Sequence, residues 1–172
     1  MRVWDPFVRI AHWTLATSVI AAWLTRGSLH EVIGYVALAV VALRLPWGWL
    51  GPAYARFGQF VRPPHETLAY AKRALARQEP RHVGHNPLGA WMIVALLAAV
   101  AATCATGWLY TTDTYWGVEW VEDLHHFCAD TLVALAVVHV AGVCMASLRH
   151  RENLVGAMIH GRKRPPAHDD VV

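Results

Sequence analysis

Charge is scarce in this chain. Asp, Glu, Lys and Arg make up 16% of its 172 residues, against 56% hydrophobic residues. That balance excludes an ordinary soluble core under a charged skin. Alternation of polar and apolar residues over strand-length windows is also missing, so no β-barrel pattern competes. Cysteine is limited to Cys104, Cys128 and Cys144, none of them in a C-x-x-C or C-x-x-C-H arrangement. Covalent attachment of a c-type haem is therefore excluded, and the three thiols read as small buried apolar side chains. Carboxylates well inside an apolar run reduce to Asp130. No basic patch forms on a soluble face, because Lys and Arg flank the apolar runs, and this argues against nucleic-acid binding. The first run is not followed by a small-x-small cleavage site, so it reads as a retained span rather than a secretory signal.

What the chain does have is four solid apolar runs, at about residues 6–24, 30–50, 88–109 and 121–148. Each reaches the roughly 20 residues a helix needs to cross a bilayer. The expected fold is an all-α integral membrane protein, a four-transmembrane-helix bundle forming one domain over residues 1–172. Arg2 and Arg9 open the chain, six bases from Arg56 to Arg81 sit between the second and third runs, and Arg149, Arg151, Arg162, Lys163 and Arg164 follow the fourth. The two opposite loops hold one base, Arg26, and the acids Asp113, Glu119, Glu122 and Asp123. The positive-inside rule places both termini and the central link in the cytoplasm. Within that link, HETLAYAKRALARQ is expected to lie as a short helix on an anionic leaflet. Tryptophans at the run ends (Trp4, Trp23, Trp47, Trp49, Trp108, Trp116, Trp120) suit interfacial belts.

Histidines carry the chemistry. His125 and His139 are fourteen residues apart on the fourth run, so on a helix they share one face about 21 Å apart along the axis. His30 and Arg44 repeat that spacing on the second run, and His12 lies on the cytoplasmic side of the first. Ionisable groups at fixed depths in a span are costly and point to function. Depth sorts them into an outer pair, His30 with His125, and an inner pair, His12 with His139. His126 points about 100° away from His125 and is set aside. His65, His82 and His85 in the link are expected to be exposed or interfacial, and the tail 149–172 to be an interfacial segment followed by a disordered end, with His150, His160 and His168 solvated.

Zinc usually takes three or four ligands around one centre, more than either level offers. A proton relay would favour carboxylates. A haem takes two axial ligands from opposite sides of a flat ring, which two facing helices supply. Small residues at Gly34, Ala129, Ala136 and Gly142 leave room for such a ring. Arg9 and Arg44 are candidates to meet its propionates.

The stretches VWDPFVRIAHW, LHEVIGYVALAVVALRLPWG, GHNPLGAWM with the later TGWL, and LHHFCADTLVALAVVHVAGV span most of the chain. In them the chain resembles the bacterial cytochrome b561 family, which includes the b-type cytochrome subunits of nickel–iron hydrogenases. The resemblance implies two non-covalent haem b groups in the inner membrane. His12 and His139 would hold the cytoplasmic iron, and His30 and His125 the periplasmic one. His126 stands where the family often has an acidic residue. Bis-histidine ligation fills both axial positions and favours electron transfer. The expected function is electron exchange between the quinone pool and a periplasmic donor or acceptor. One branch of the family would oxidise superoxide with quinone reduction; another would anchor a periplasmic hydrogenase or c-type cytochrome. A quinone site beside Arg9, Trp13 or Arg44 is expected. The alternative from another class is a haem-free transition-metal carrier using the same histidines.

Overall fold

A computed structural model describes residues 1–171. Four long helices form the bundle: α1 (Pro6–Leu24), α2 (Gly27–Leu50), α5 (Pro87–Tyr110) and α6 (Glu119–His150). Between α2 and α5 run a 3-10 turn (Ala53–Ala55), α3 (Phe57–Phe60) and α4 (Pro64–Leu75); α7 (Leu154–His160) follows α6. Among the described residues there is no strand, only two isolated bridges. All four expected spans are helices long and apolar enough to cross a membrane. The turn between the first two is tighter than expected: only Thr25 and Arg26 separate α1 from α2, so His30 falls in the first turn of α2 rather than after a loop.

The helix starts follow from local chemistry. Asp5 caps α1 by accepting from the Val8 amide at 3.1 Å, with Pro6 at the first helical position. Asn86 does the same for α5, accepting from Gly89 at 2.7 Å ahead of Pro87. Each cap satisfies an amide that the helix itself leaves unpaired, and proline loses nothing there because its missing N–H would be unpaired anyway.

α1 packs on α2, α2 on α5, and α5 on α6. The core cluster joins Ala37 and Val41 of α2, Leu97 and Val100 of α5 and Leu132 of α6, with Leu15 and Val19 of α1 against it. Residues 37–41 lie between His30 and Arg44, and Leu132 lies midway between His125 and His139. The apolar core therefore separates two histidine levels. The outward faces stay apolar: Leu43, Val137 and Val140 are exposed, as they must be against lipid. Trp23, Trp49, Trp108, Trp116 and Trp120 are exposed near helix ends, as a belt requires.

One end of the bundle departs from the sequence reading. The tail is an ordered clasp, not a solvated end. α7 starts at an Asn153 cap and stops at Gly161, whose φ of +80° suits glycine. The chain then turns back across the N-terminus, with the Val3 amide donating to Gly161 at 2.9 Å and Met1 bonded to Lys163. It ends against the link, where Val83 and Val171 exchange backbone bonds with Val171 and Arg81. Arg81 holds the clasp, paired with Glu152 at 2.7 Å and with Asp170; Lys163 adds a contact to Glu152 at 3.7 Å. Beside it Val3, Trp4, Val83 and Ala157 make a second apolar cluster, so Trp4 is buried there rather than in a belt. Both termini and the link thus share one end, called the basic end below. The loop 111–118 and the α1–α2 turn form the opposite, acidic end.

A histidine pair at each end of the bundle

The outer pair lies at the acidic end. The rings of His30 and His125 are 6.0 Å apart, centre to centre. The Nδ1–H of His30 donates to the carbonyl of Ala22, in the last turn of α1, at 2.9 Å. The Nδ1–H of His125 donates to the carbonyl of Thr103 at 3.1 Å and lies 3.2 Å from the Thr106 hydroxyl. A backbone carbonyl on Nδ1 fixes the tautomer and orients the ring, leaving Nε2 with its lone pair for a metal. Both outer rings share this arrangement.

α5 therefore does more than scaffold. It supplies the bonds that aim His125, and it makes space for the ring: a Cβ on Gly107 would come within 3.0 Å of His125 Cε1. The run T-x-x-T-G at residues 103–107 places both threonines and the glycine on adjoining turns of one side. That pattern was the available signal in a span without histidine. Gly34 has nothing within 4 Å of the position a Cβ would take, in keeping with the open patch expected below His30.

The inner pair lies at the basic end. His12 and His139 have ring centres 6.3 Å apart, and the Trp13 ring sits edge-on to His12 at 5.1 Å. The buried Nδ1 of His12 has no hydrogen-bond partner. Arg9 and Trp13, on the same side of α1, both reach α7: Arg9 donates to the Ile159 carbonyl and Trp13 to that of Met158. Arg44 lies under the link instead. It is buried, donates to the Ala55 carbonyl at 3.0 Å and stacks over Phe57 at 4.9 Å. Among the described residues no carboxylate forms an ion pair with it, and its Nη1 is buried without a partner.

Three other residues need placing. The side chain of His126 is 70% exposed and faces Glu122 at 3.8 Å, away from the pair. His85 is only partly exposed, with its ring between Trp4 at 4.5 Å and Phe60 at 4.6 Å, against the expectation of an exposed link histidine. Cys144 is exposed on α6, not buried, while Cys104 and Cys128 are half-buried.

The spacing of the rings can be tested against an iron between them. A metal–nitrogen bond of about 2 Å on each side, with each nitrogen about 1 Å from its ring centre, puts the two centres roughly 6 Å apart. Both pairs match. Among the described residues, no three His, Cys, Asp or Glu side chains gather as a closed metal centre would need. Two-nitrogen levels suit a group that brings its own equatorial ligands.

These features define a class: a multi-pass helical bundle with facing histidines at two depths. Residues 3–161 match the model of prokaryotic cytochrome b561, and the chain belongs to that family. It is a membrane b-type cytochrome of electron transfer, in the inner membrane. Two curated relatives are each 24% identical to it, aligned over 94% of this chain. Both are named probable Ni/Fe-hydrogenase B-type cytochrome subunit. One is from Bradyrhizobium diazoefficiens, with 85% of its length covered, and one from Rhizobium leguminosarum bv. viciae, with 87% covered. No solved structure matches the chain.

Proposed function

We propose that the chain is a single-domain di-haem cytochrome carrying electrons across the membrane between the quinone pool and a redox partner at the acidic end. His12 and His139 hold the inner haem b, and His30 and His125 the outer one. The observation that carries this reading is the matched spacing of the two ring pairs, 6.3 Å and 6.0 Å, on either side of one apolar core. Haem b bound by two histidines supplies one-electron transfer and leaves no axial position for oxygen.

The protein's part is positioning. The Ala22 and Thr103 carbonyls fix the outer imidazoles, and the mid-bundle core keeps the two levels apart. Arg9 and Arg44 bring positive charge to the inner level, where the propionates need a counter-charge. The basic end faces the cytoplasm, as the excess of Lys and Arg there directs. Arg9 and Trp13, whose side chains reach the last turn of α7, or Arg44, bound the expected place for a quinone headgroup.

The names of both relatives favour a protein partner such as a hydrogenase at the acidic end. Superoxide is the second candidate donor. Arg26, the one base of that end's loops, donates to the carbonyls of Thr25 at 2.9 Å and Trp23 at 3.4 Å. Its charge remains available to an anion. Rapid mixing of the reduced cytochrome with a soluble quinone separates these readings from a haem-free carrier. Haem oxidation at rates that fall in Arg9→Ala supports a quinone site there; unaltered rates in that variant contradict it.

Gly107 gives a local prediction. Gly107→Ala pushes a methyl group against His125, and Gly107→Leu does so more strongly. Absorption and paramagnetic resonance spectra should change for one haem only, the outer one. An unaltered spectrum in the leucine variant would remove His125 from the ligand set.

A further inference from the structure

Five buried side-chain nitrogens lack a hydrogen-bond partner among the described residues: Arg9 Nε, His12 Nδ1, Arg44 Nη1, Trp47 Nε1 and His85 Nδ1. An unpaired buried donor costs roughly 1–3 kcal/mol, so such groups are few and each calls for a partner. Here all five gather at the basic end, and none at the acidic end. Two of them, Arg44 and His85, belong to one chain of contacts. Arg44 stacks on Phe57, Phe57 on Phe60, and Phe60 on His85, which meets Trp4.

His85 is the member that the assigned roles leave over. It is neither on a span nor on a histidine level, yet its ring is clamped between aromatic rings from two distant segments. From this placement we infer that His85 is a third anchor of the inner haem, donating its ring N–H, beside Arg44, to the haem's carboxylate edge. The inference rests on the reading of His12 and His139 as the ligands of that haem. Burial, followed by the nearby charges of Lys163 and Arg44 and the rings of His139 and His12, pushes the His85 pKa down to about 3. The ring is therefore neutral at pH 7 and acts by hydrogen bonding, with Arg44 supplying the charge. A neutral donor on a carboxylate disperses its negative charge. Its loss leaves that charge nearer the iron, which favours the oxidised state.

The test is a potentiometric titration of the purified protein, following both haems by absorption. His85→Phe keeps the aromatic sandwich and removes the donor; His85→Asn keeps a donor. The expected result is that His85→Phe lowers one of the two potentials by about 59 mV, a tenfold change for one electron. The other potential stays in place, and His85→Asn recovers most of the shift. Two unmoved potentials in His85→Phe, or equal shifts in both variants, would overturn the assignment while leaving the ligand pairs intact. A wild-type protein holding one haem or none would instead overturn the ligand reading itself. If His85→Phe does not accumulate with two haems, His85→Ala titrated with added imidazole decides: restoration of the potential supports the role, and its absence rejects it.

Discussion

His139→Ala is expected to yield a protein with one haem in place of two, the outer site keeping its spectrum. The expectation follows from the separation of the sites. His139 faces His12 at one end, and His125, on the same helix, faces His30 at the other, with Leu132 packed into the core between them. On the proposed ligation, alanine would remove one of the two nitrogens holding the inner haem and would leave the α5–α6 contact that aims His125 unaltered, since Thr103 and Thr106 lie at the other level. His125→Ala should give the mirror result. Haem content by pyridine haemochrome, with resonance spectra to tell the sites apart, reads this directly. Loss of both haems in both variants, in a protein that still folds, would mean that the levels are not independent. Loss of neither would mean that the pairing is wrong.

The second large effect concerns the clasp. Arg81→Met leaves Glu152 and Asp170 buried without their main cation, with side chains only 8% and 7% exposed. Breaking a buried pair by removing one partner costs about 3 kcal/mol or more. Lys163, at 3.7 Å from Glu152, and the backbone amides of Arg164 on Glu152 and Ala167 on Asp170 remain to offset part of it. The bundle should survive, because its core lies elsewhere, while the segment from Arg162 onward is released. Limited proteolysis in detergent should therefore clip the tail of Arg81→Met at least tenfold faster than that of the wild type. Equal rates would show that the network does not hold the clasp.

Acid should act in the same direction on the wild type. Burial raises the Glu152 carboxyl, but the bonds from Arg81 and Arg164 outweigh it and hold the group below its ordinary value. The Ala167 amide holds Asp170 down despite burial, helped by Arg81. A carboxyl depressed in the folded state contributes its stability above the ordinary carboxylate range and loses it as pH falls through the lowered value. The clasp is thus firm at neutral pH and loosens below about pH 4.

The spans were legible because a membrane leaves a long, unbroken apolar signature, and α1 even begins and ends where the run does, at Pro6 and Leu24. The two histidine pairs were legible for a related reason. Histidines fourteen residues apart stand out in such a run, and helical geometry alone assigns them to one face. Three features were hidden, each by long-range contact. His85 sits in the polar turn HNPLG, and its burial comes from Trp4 and Phe60, which are remote in sequence. The tail has the composition of a solvated end, and it is ordered by contacts remote in sequence, with the N-terminus and with Arg81, whose partners lie 71 and 89 positions away. The role of α5 lies chiefly in a backbone carbonyl, at Thr103, and the T-x-x-T-G run around it was the one side-chain pattern that marked the place.

The proposed electron path stands on facing histidines at two levels, each pair holding a b-type haem. The most direct test is haem stoichiometry and ligation in the purified wild-type chain. The expected result is two non-covalent haem b per chain, reducible in two steps, both with low-spin bis-histidine resonance signals. A colourless protein, or one binding transition-metal ions without haem, would contradict it.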